Sequence, residues 1–284
     1  MSTVLVPTDF SKNATAALRY AIMLCKQMES DLIVFHCSHI SAYALSSANT
    51  EEQMTLLLSE DEAHKMEKLQ EQVDKAYKNQ EMKVPDSTRL VVSYNPMFIE
   101  KTLEIAKEKN VSLIVMGTHG ASGITKFFFG SNTSVMISKS DIPVMAIPED
   151  QEYEGLEEIV FASDLQSFSF ELTQLMPFAQ ATKSTINVLY MDYHLDPDGH
   201  KIKAARDIIE KMPYKNIKLQ VQPATLDTSL VSQIKHYLMT HKPDCLVMFT
   251  RERTLWDRLF LKGSKTEDMS AALNTPLLSF KKGR

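Results

Sequence analysis

The sequence predicts an α/β protein made of two tandem domains, each an open five-stranded parallel sheet covered by helices on both faces. Three observations carry this expectation. Short, continuously apolar runs alternate with longer stretches whose apolar residues recur at helical spacing, the pattern of strands buried on both sides. The same series of runs begins again after residue 155. The length of 284 residues, at roughly 150 per domain, leaves room for two domains.

The elements follow in order. Val4, Leu5 and Val6 form an apolar run that stops at Pro7. From Ser11 a helical pattern passes through Ala14, Ala17, Leu18, Ala21, Leu24 and Cys25 and ends near Ser30. Residues 32–37 are a second buried strand. Residues 50–79 are charged, with Met54, Leu57, Leu58, Met66, Leu69, Val73 and Ala76 spaced for one face of a long, half-solvated helix. Residues 88–93 read as a third strand, 96–109 as a helix and 112–116 as a fourth strand. A helix over 131–138 and a strand over 143–147 complete the first set.

Residues 158–165 then repeat the logic of residues 3–10: an apolar strand, small residues and an aspartate, Asp164 matching Asp9. Residues 244–248 echo 112–116, and 274–278 echo 141–145. Between the halves lies a short polar linker with nothing to bury. The expected domains are 1–149 and 155–284, a duplication with too long a period for a solenoid.

Composition narrows the function. Thirty-one basic residues against 36 acidic ones give a net charge of −5. That balance supplies no broad electrostatic footprint for nucleic acid or an anionic membrane. No apolar stretch approaches the ~20 residues of a membrane span. Residues 1–7 lack the basic segment and cleavage site of a signal peptide. Cys25, Cys37 and Cys245 are odd in number and far apart, which reads as buried thiols in a reducing compartment. A cytoplasmic location is expected.

The chemistry concentrates after the fourth strand. Gly117-Thr118-His119-Gly120 is followed, nine residues on, by Gly130-Ser131-Asn132-Thr133 opening a helix. Glycines let backbone N–H groups approach a ligand, and a helix amino end adds unpaired donors and a positive dipole end. The arrangement lacks the Gly-Lys-Ser/Thr ending of a Walker A loop and the glycine spacing of the dinucleotide fingerprint. It is read as either a phosphate cradle or a plain turn. Asp9 stands just past the first strand, on the edge where open α/β sheets bind ligands. It is equally readable as a helix cap before Ser11.

Pro7-Thr8-Asp9-Phe10-Ser11, taken with Gly-x-x-Gly, nine residues and Gly-Ser, resembles the universal stress protein family in its ATP-binding subclass. The resemblance runs from Thr3 to Ile147 and includes Ile142-Pro143-Val144. It implies the strand order 3-2-1-4-5, with the fifth strand pairing against its counterpart in the second domain as an intramolecular pseudo-dimer. It implies ATP, with or without Mg²⁺, as ligand. Asp9 would hydrogen-bond the adenine, and Pro7, Thr8 and Cys37 would line its pocket. Met116 and Gly117 would lie against the ribose and α-phosphate. Gly120, Gly130, Ser131 and Asn132 would hold the triphosphate. At Cys37, where the family usually has a residue such as Val, a buried thiol behaves as a small hydrophobe.

The second copy keeps Asp164, but Phe249-Thr250-Arg251-Glu252-Arg253 replaces the Gly-x-x-Gly segment and only Gly263-Ser264 survives. It is expected to be degenerate, with one ATP per chain bound by the first domain. Other features carry less. Asp192, His194, Asp198 and His200 fail the pattern of a calcium loop and read as a turn. His36 and His39 read as structural histidines at a strand end. No carboxylate pair is evident to support hydrolysis at His119. A non-nucleotide scaffold acting through protein contacts and a slow ATPase are the competing functions, and association of two chains into a homodimer is left open.

Overall fold

A computed structural model describes residues 2–38, 50–118, 131–194, 198–250 and 275–281. Ten strands form one sheet: β1 (Thr3–Pro7), β2 (Asp31–Ser38), β3 (Thr88–Tyr94), β4 (Leu113–Gly117), β5 (Val144–Ile147), β6 (Glu158–Ala162), β7 (Thr185–Asp192), β8 (Ile217–Pro223), β9 (Cys245–Thr250) and β10 (Leu277–Lys281). Their spatial order is β3-β2-β1-β4-β5-β10-β9-β6-β7-β8. The first five therefore stand 3-2-1-4-5, and the second five repeat that order in mirror sequence. All pairings within a half are parallel. The halves meet where β5 and β10 run antiparallel, with Leu278 opposite Met145. Lys281 reaches back across this seam to Asp141 at 2.6 Å.

The helices among the described residues are α1 (Lys12–Met28), α2 (Glu51–Asn79), α3 (Phe98–Glu108), α4 (Ser131–Lys139), α5 (Phe168–Thr182), α6 (His200–Lys211) and α7 (Leu230–His241). Strand residues point alternately to the two faces, and each face has its own core. Val4, Val6, Leu113, Val115, Phe161 and Val247 pack under α1, α2, α5 and α6. Leu5, Ile33, Ile114, Met116, Val160 and Leu246 pack under α3, α4 and α7. Both cores run through both halves, which is why the inner strands read as continuous apolar runs, while the outer strand β8 alternates apolar and polar residues.

Local signals explain the boundaries. Ser11 caps α1, its Oγ accepting from the Ala14 N–H at 3.1 Å, and Thr50 caps α2 in the same way through Gln53. Helix α3 begins two residues later than the sequence pattern suggests. Asn95 Oδ1 accepts from the Met97 N–H at 2.8 Å, forming a turn around Pro96 before the helix starts. Gln27 ties the halves together on the helix side. Its amide donates to the carbonyls of Leu156 and Thr182 and accepts from the Tyr153 hydroxyl and the Leu156 N–H.

A candidate ligand crevice at the ends of strands β1 and β4

The order 3-2-1-4-5 makes β1 and β4 neighbours whose connections leave in opposite directions, and a crevice opens at such a point on the carboxyl edge. Here it is about 510 Å³. Eight of the ten residues predicted from the sequence line it: Pro7, Thr8 and Asp9 from the end of β1, Cys37 from β2, Met116 and Gly117 from β4, and Ser131 and Asn132 from the start of α4. Gly120 and Gly130 lie outside the described residues, as do His39, His119, Arg251, Glu252, Arg253, Gly263 and Ser264.

The β1–α1 turn is built by short side chains. Asp9 Oδ1 accepts from the Ser11 N–H at 3.0 Å, and Thr8 Oγ1 accepts from the Phe10 N–H at 3.1 Å, which holds Phe10 in the left-handed region at φ 63°. Asp9 is exposed at the crevice mouth. Thr8 also donates to Gln72 Oε1, and the Gln72 amide donates to Thr15, so α2 braces this turn from above. The second half reproduces the construction. Asp164 Oδ1 accepts from Gln166, Ser163 Oγ accepts from Leu165, and Leu165 has φ 60°. The duplication thus extends to individual hydrogen bonds.

At the other wall the amino end of α4 brings first-turn N–H groups that have no partner within the helix, and its dipole, to the crevice, a setting that favours an anion. Thr133 Oγ1 donates to the Gly117 carbonyl at 2.8 Å and anchors that helix end to β4. Gly117 is required here by packing as well. A Cβ at this position would stand 2.7 Å from the Asn13 carbonyl oxygen, so only glycine lets α1 approach β4 this closely. The second half has Phe249 at the corresponding place. Its ring stacks on Phe280 at 4.8 Å and tilts against Phe161 at 5.5 Å, within the core. The helix residue corresponding to Asn13 is Phe168, also buried. Two buried aromatic residues, each with its ring against Phe161, stand where the first half has the Asn–Gly approach.

Sequence reading missed several lining residues. His36 is buried, and its Nδ1–H donates to the Thr8 carbonyl at 2.8 Å, leaving Nε2 as an acceptor. Burial lowers its pKa, only partly offset by the Thr8 hydrogen bond, and the nearby Lys65 and Lys68 lower it further. Its ring meets Phe10 at 4.3 Å. Burial likewise raises the Cys37 thiol, which donates to the Asn95 carbonyl. Lys65 and Lys68, both from α2, complete the mouth. The signal available in the sequence is the spacing Asp61, Lys65, Lys68, Gln72, which puts four polar residues on one face of a helix.

Among the described residues no group of three or more His, Cys, Asp or Glu side chains is placed to hold a metal. His194 pairs with the half-buried Asp192, and His200 with the exposed Asp198, each at 3.5 Å. None of the helices described is long and apolar enough to cross a membrane.

The doubled 3-2-1-4-5 sheet and the crevice at its first switch point define a doubly wound, Rossmann-type α/β protein. The model of the universal stress protein family matches residues 1–148, more than half the chain, and the chain belongs to that family. It is similar to two universal stress proteins of Methanocaldococcus jannaschii. MJ0577 is 24% identical over 159 residues, covering 51% of this chain and 93% of the relative. MJ0531 is 23% identical over 145 residues, covering 51% and 80%. The crystal structure of a universal stress protein from Archaeoglobus fulgidus DSM 4304 superposes with a TM-score of 0.65, covering 99% of this chain and 98% of that one at 17% identity. That likeness extends the shared fold to both halves.

Proposed function

We propose that the chain binds one ATP in the crevice of its first half and uses it as a regulatory or stabilising ligand in a cytoplasmic stress response. The observation that carries this reading is the meeting, in one crevice, of the Asp9 carboxylate with the amino end of α4. Asp9 takes the adenine amino group, with Pro7, Thr8 and Cys37 around the base. Met116 and Gly117 face the ribose and α-phosphate. Ser131, Asn132, Gly120 and Gly130 hold the phosphates through backbone amides and the Ser131 hydroxyl, and any Mg²⁺ arrives with the triphosphate. The corresponding domains are 1–149 and 155–284, and Phe249 makes the second unfit for the same ligand.

A ligand that binds only the folded state stabilises it by about 2.7 kcal/mol at a hundredfold excess over Kd. A regulator therefore needs no turnover. Native mass spectrometry of the full chain with ATP is expected to show one nucleotide per chain. Ser131→Ala is expected to weaken binding roughly five- to tenfold, the worth of one hydroxyl–phosphate hydrogen bond. Gly120→Val with Gly130→Val is expected to abolish it without unfolding the protein. An unoccupied chain at millimolar ATP overturns the reading.

A further inference from the structure

Helix α2 changes character along its length. Its carboxyl half turns Leu69, Val73, Ala76 and Tyr77 into the core. Beside this apolar stripe runs a polar one, with Asp61, Lys65, Lys68 and Gln72 spaced i, i+4, i+7 and i+11; Asp61, Lys65 and Gln72 are half-buried and Lys68 is exposed. Both ends of this stripe are fastened. Gln72 bonds Thr8 and Thr15. Asp61 Oδ2 accepts from the Tyr94 hydroxyl at 2.6 Å and from Ser38 Oγ at 3.3 Å. Between these two ends, Lys65 and Lys68 line the crevice.

Their charge is poorly compensated. Asp61 stands 4.0 Å from Lys65 and already accepts two hydrogen bonds, which disperse its charge. Lys68 lies 4.4 Å above the Phe10 ring, and among the described residues no carboxylate comes within ion-pair distance of it. Both ammonium groups act to lower the His36 pKa, behind burial as the main cause, and Asp61 acts to raise it. Two cations at the mouth, which they share with the Asp9 carboxylate, face a far wall made by a helix amino end.

We propose that Lys65 and Lys68 are ligand-binding residues, and that α2 supplies the crevice with a cationic wall that takes part of the negative charge of a phosphorylated nucleotide. This rests on the nucleotide reading above and adds a charge requirement to it: affinity falls from ATP through ADP and AMP to adenosine, through α2 as well as α4. The test is calorimetric titration of the full chain with ATP and adenosine at low and high salt. Lys65→Gln with Lys68→Gln is expected to weaken ATP at least about tenfold, the equivalent of one charge-assisted contact. It should also flatten the salt dependence and leave adenosine unchanged. Lys65→Arg with Lys68→Arg should keep ATP binding. Lys75→Gln with Lys78→Gln removes the same charge from exposed positions on the same helix and should change nothing. If the wild-type chain binds ATP and the Lys65/Lys68 glutamine pair binds it as well, with the same salt slope, α2 takes no part and this inference alone is overturned. If the wild-type chain binds no nucleotide, the functional reading falls and this inference falls with it.

Discussion

Asn13 and Gly117 are about a hundred residues apart in the chain, yet the backbone of one decides the identity of the other. The sequence offers a ligand's approach as the reason for glycine. The contact with Asn13 is invisible there, because only the fold brings α1 against β4. Gly117→Ala is expected to force the two elements apart and cost roughly 1–3 kcal/mol, as overpacking does. The loss would be read as a lower urea midpoint at unchanged m-value. In the second half the same two positions hold Phe168 and Phe249, and the rings fill the space a close backbone approach would otherwise use. Asp9 and Asp164, by contrast, were legible as a repeated strand end. Their identical turn contacts follow from short side chains placed two residues before the N–H they accept.

Among the elements, the strands of the first half were legible because burial on both faces leaves little polar alternation to misread, whereas β8, an outer strand that alternates Ile217, Lys218, Leu219 and Gln220, was not assigned from the sequence. The helices α1 and α3 were legible from apolar spacing, with only the turn around Pro96 shifting a boundary. Helix α2 was legible as a helix but not as a wall. Lysines on a helix ordinarily belong to its solvated face, and nothing local distinguishes Lys65 and Lys68 from Lys75 and Lys78. The change along α2 has a measurable counterpart. Leu69 is fully buried, and Leu69→Ala is expected to cost about 2–5 kcal/mol. Leu56, four turns earlier, is 57% exposed, and Leu56→Ala should stay within about 0.5 kcal/mol. Equilibrium unfolding of the two variants checks both values.

At the scale of the whole molecule, the doubling of the sheet was legible from the repeat, while the strand order came from the family resemblance and not from the pattern of runs. The shared core under α1 encloses groups that ionise only in alkali. Burial pushes the Cys25 thiol from 9.0 up to about 12, and it raises the Cys245 thiol and the Tyr20 phenol as well. Between pH 9 and 12 the folded chain keeps protons that the unfolded chain has released. The stability these groups give is whole below pH 9 and is lost as pH rises toward 12, by up to about 1.4 kcal/mol per pH unit for each group. Urea midpoints should therefore be level from pH 7 to 9 and fall steeply above.

The antiparallel seam also sets a timetable for biosynthesis. Strand β5 is four buried residues, Val144–Ile147, and the partner that covers its outer edge begins at Leu277, about 130 residues downstream. A ribosome adding roughly 5–20 residues per second leaves that edge without its partner for about 6–26 s after it emerges. During that interval the nascent first half presents an unpaired apolar strand to the cell, and a neighbouring chain on the same message carries the β10 sequence that fits it.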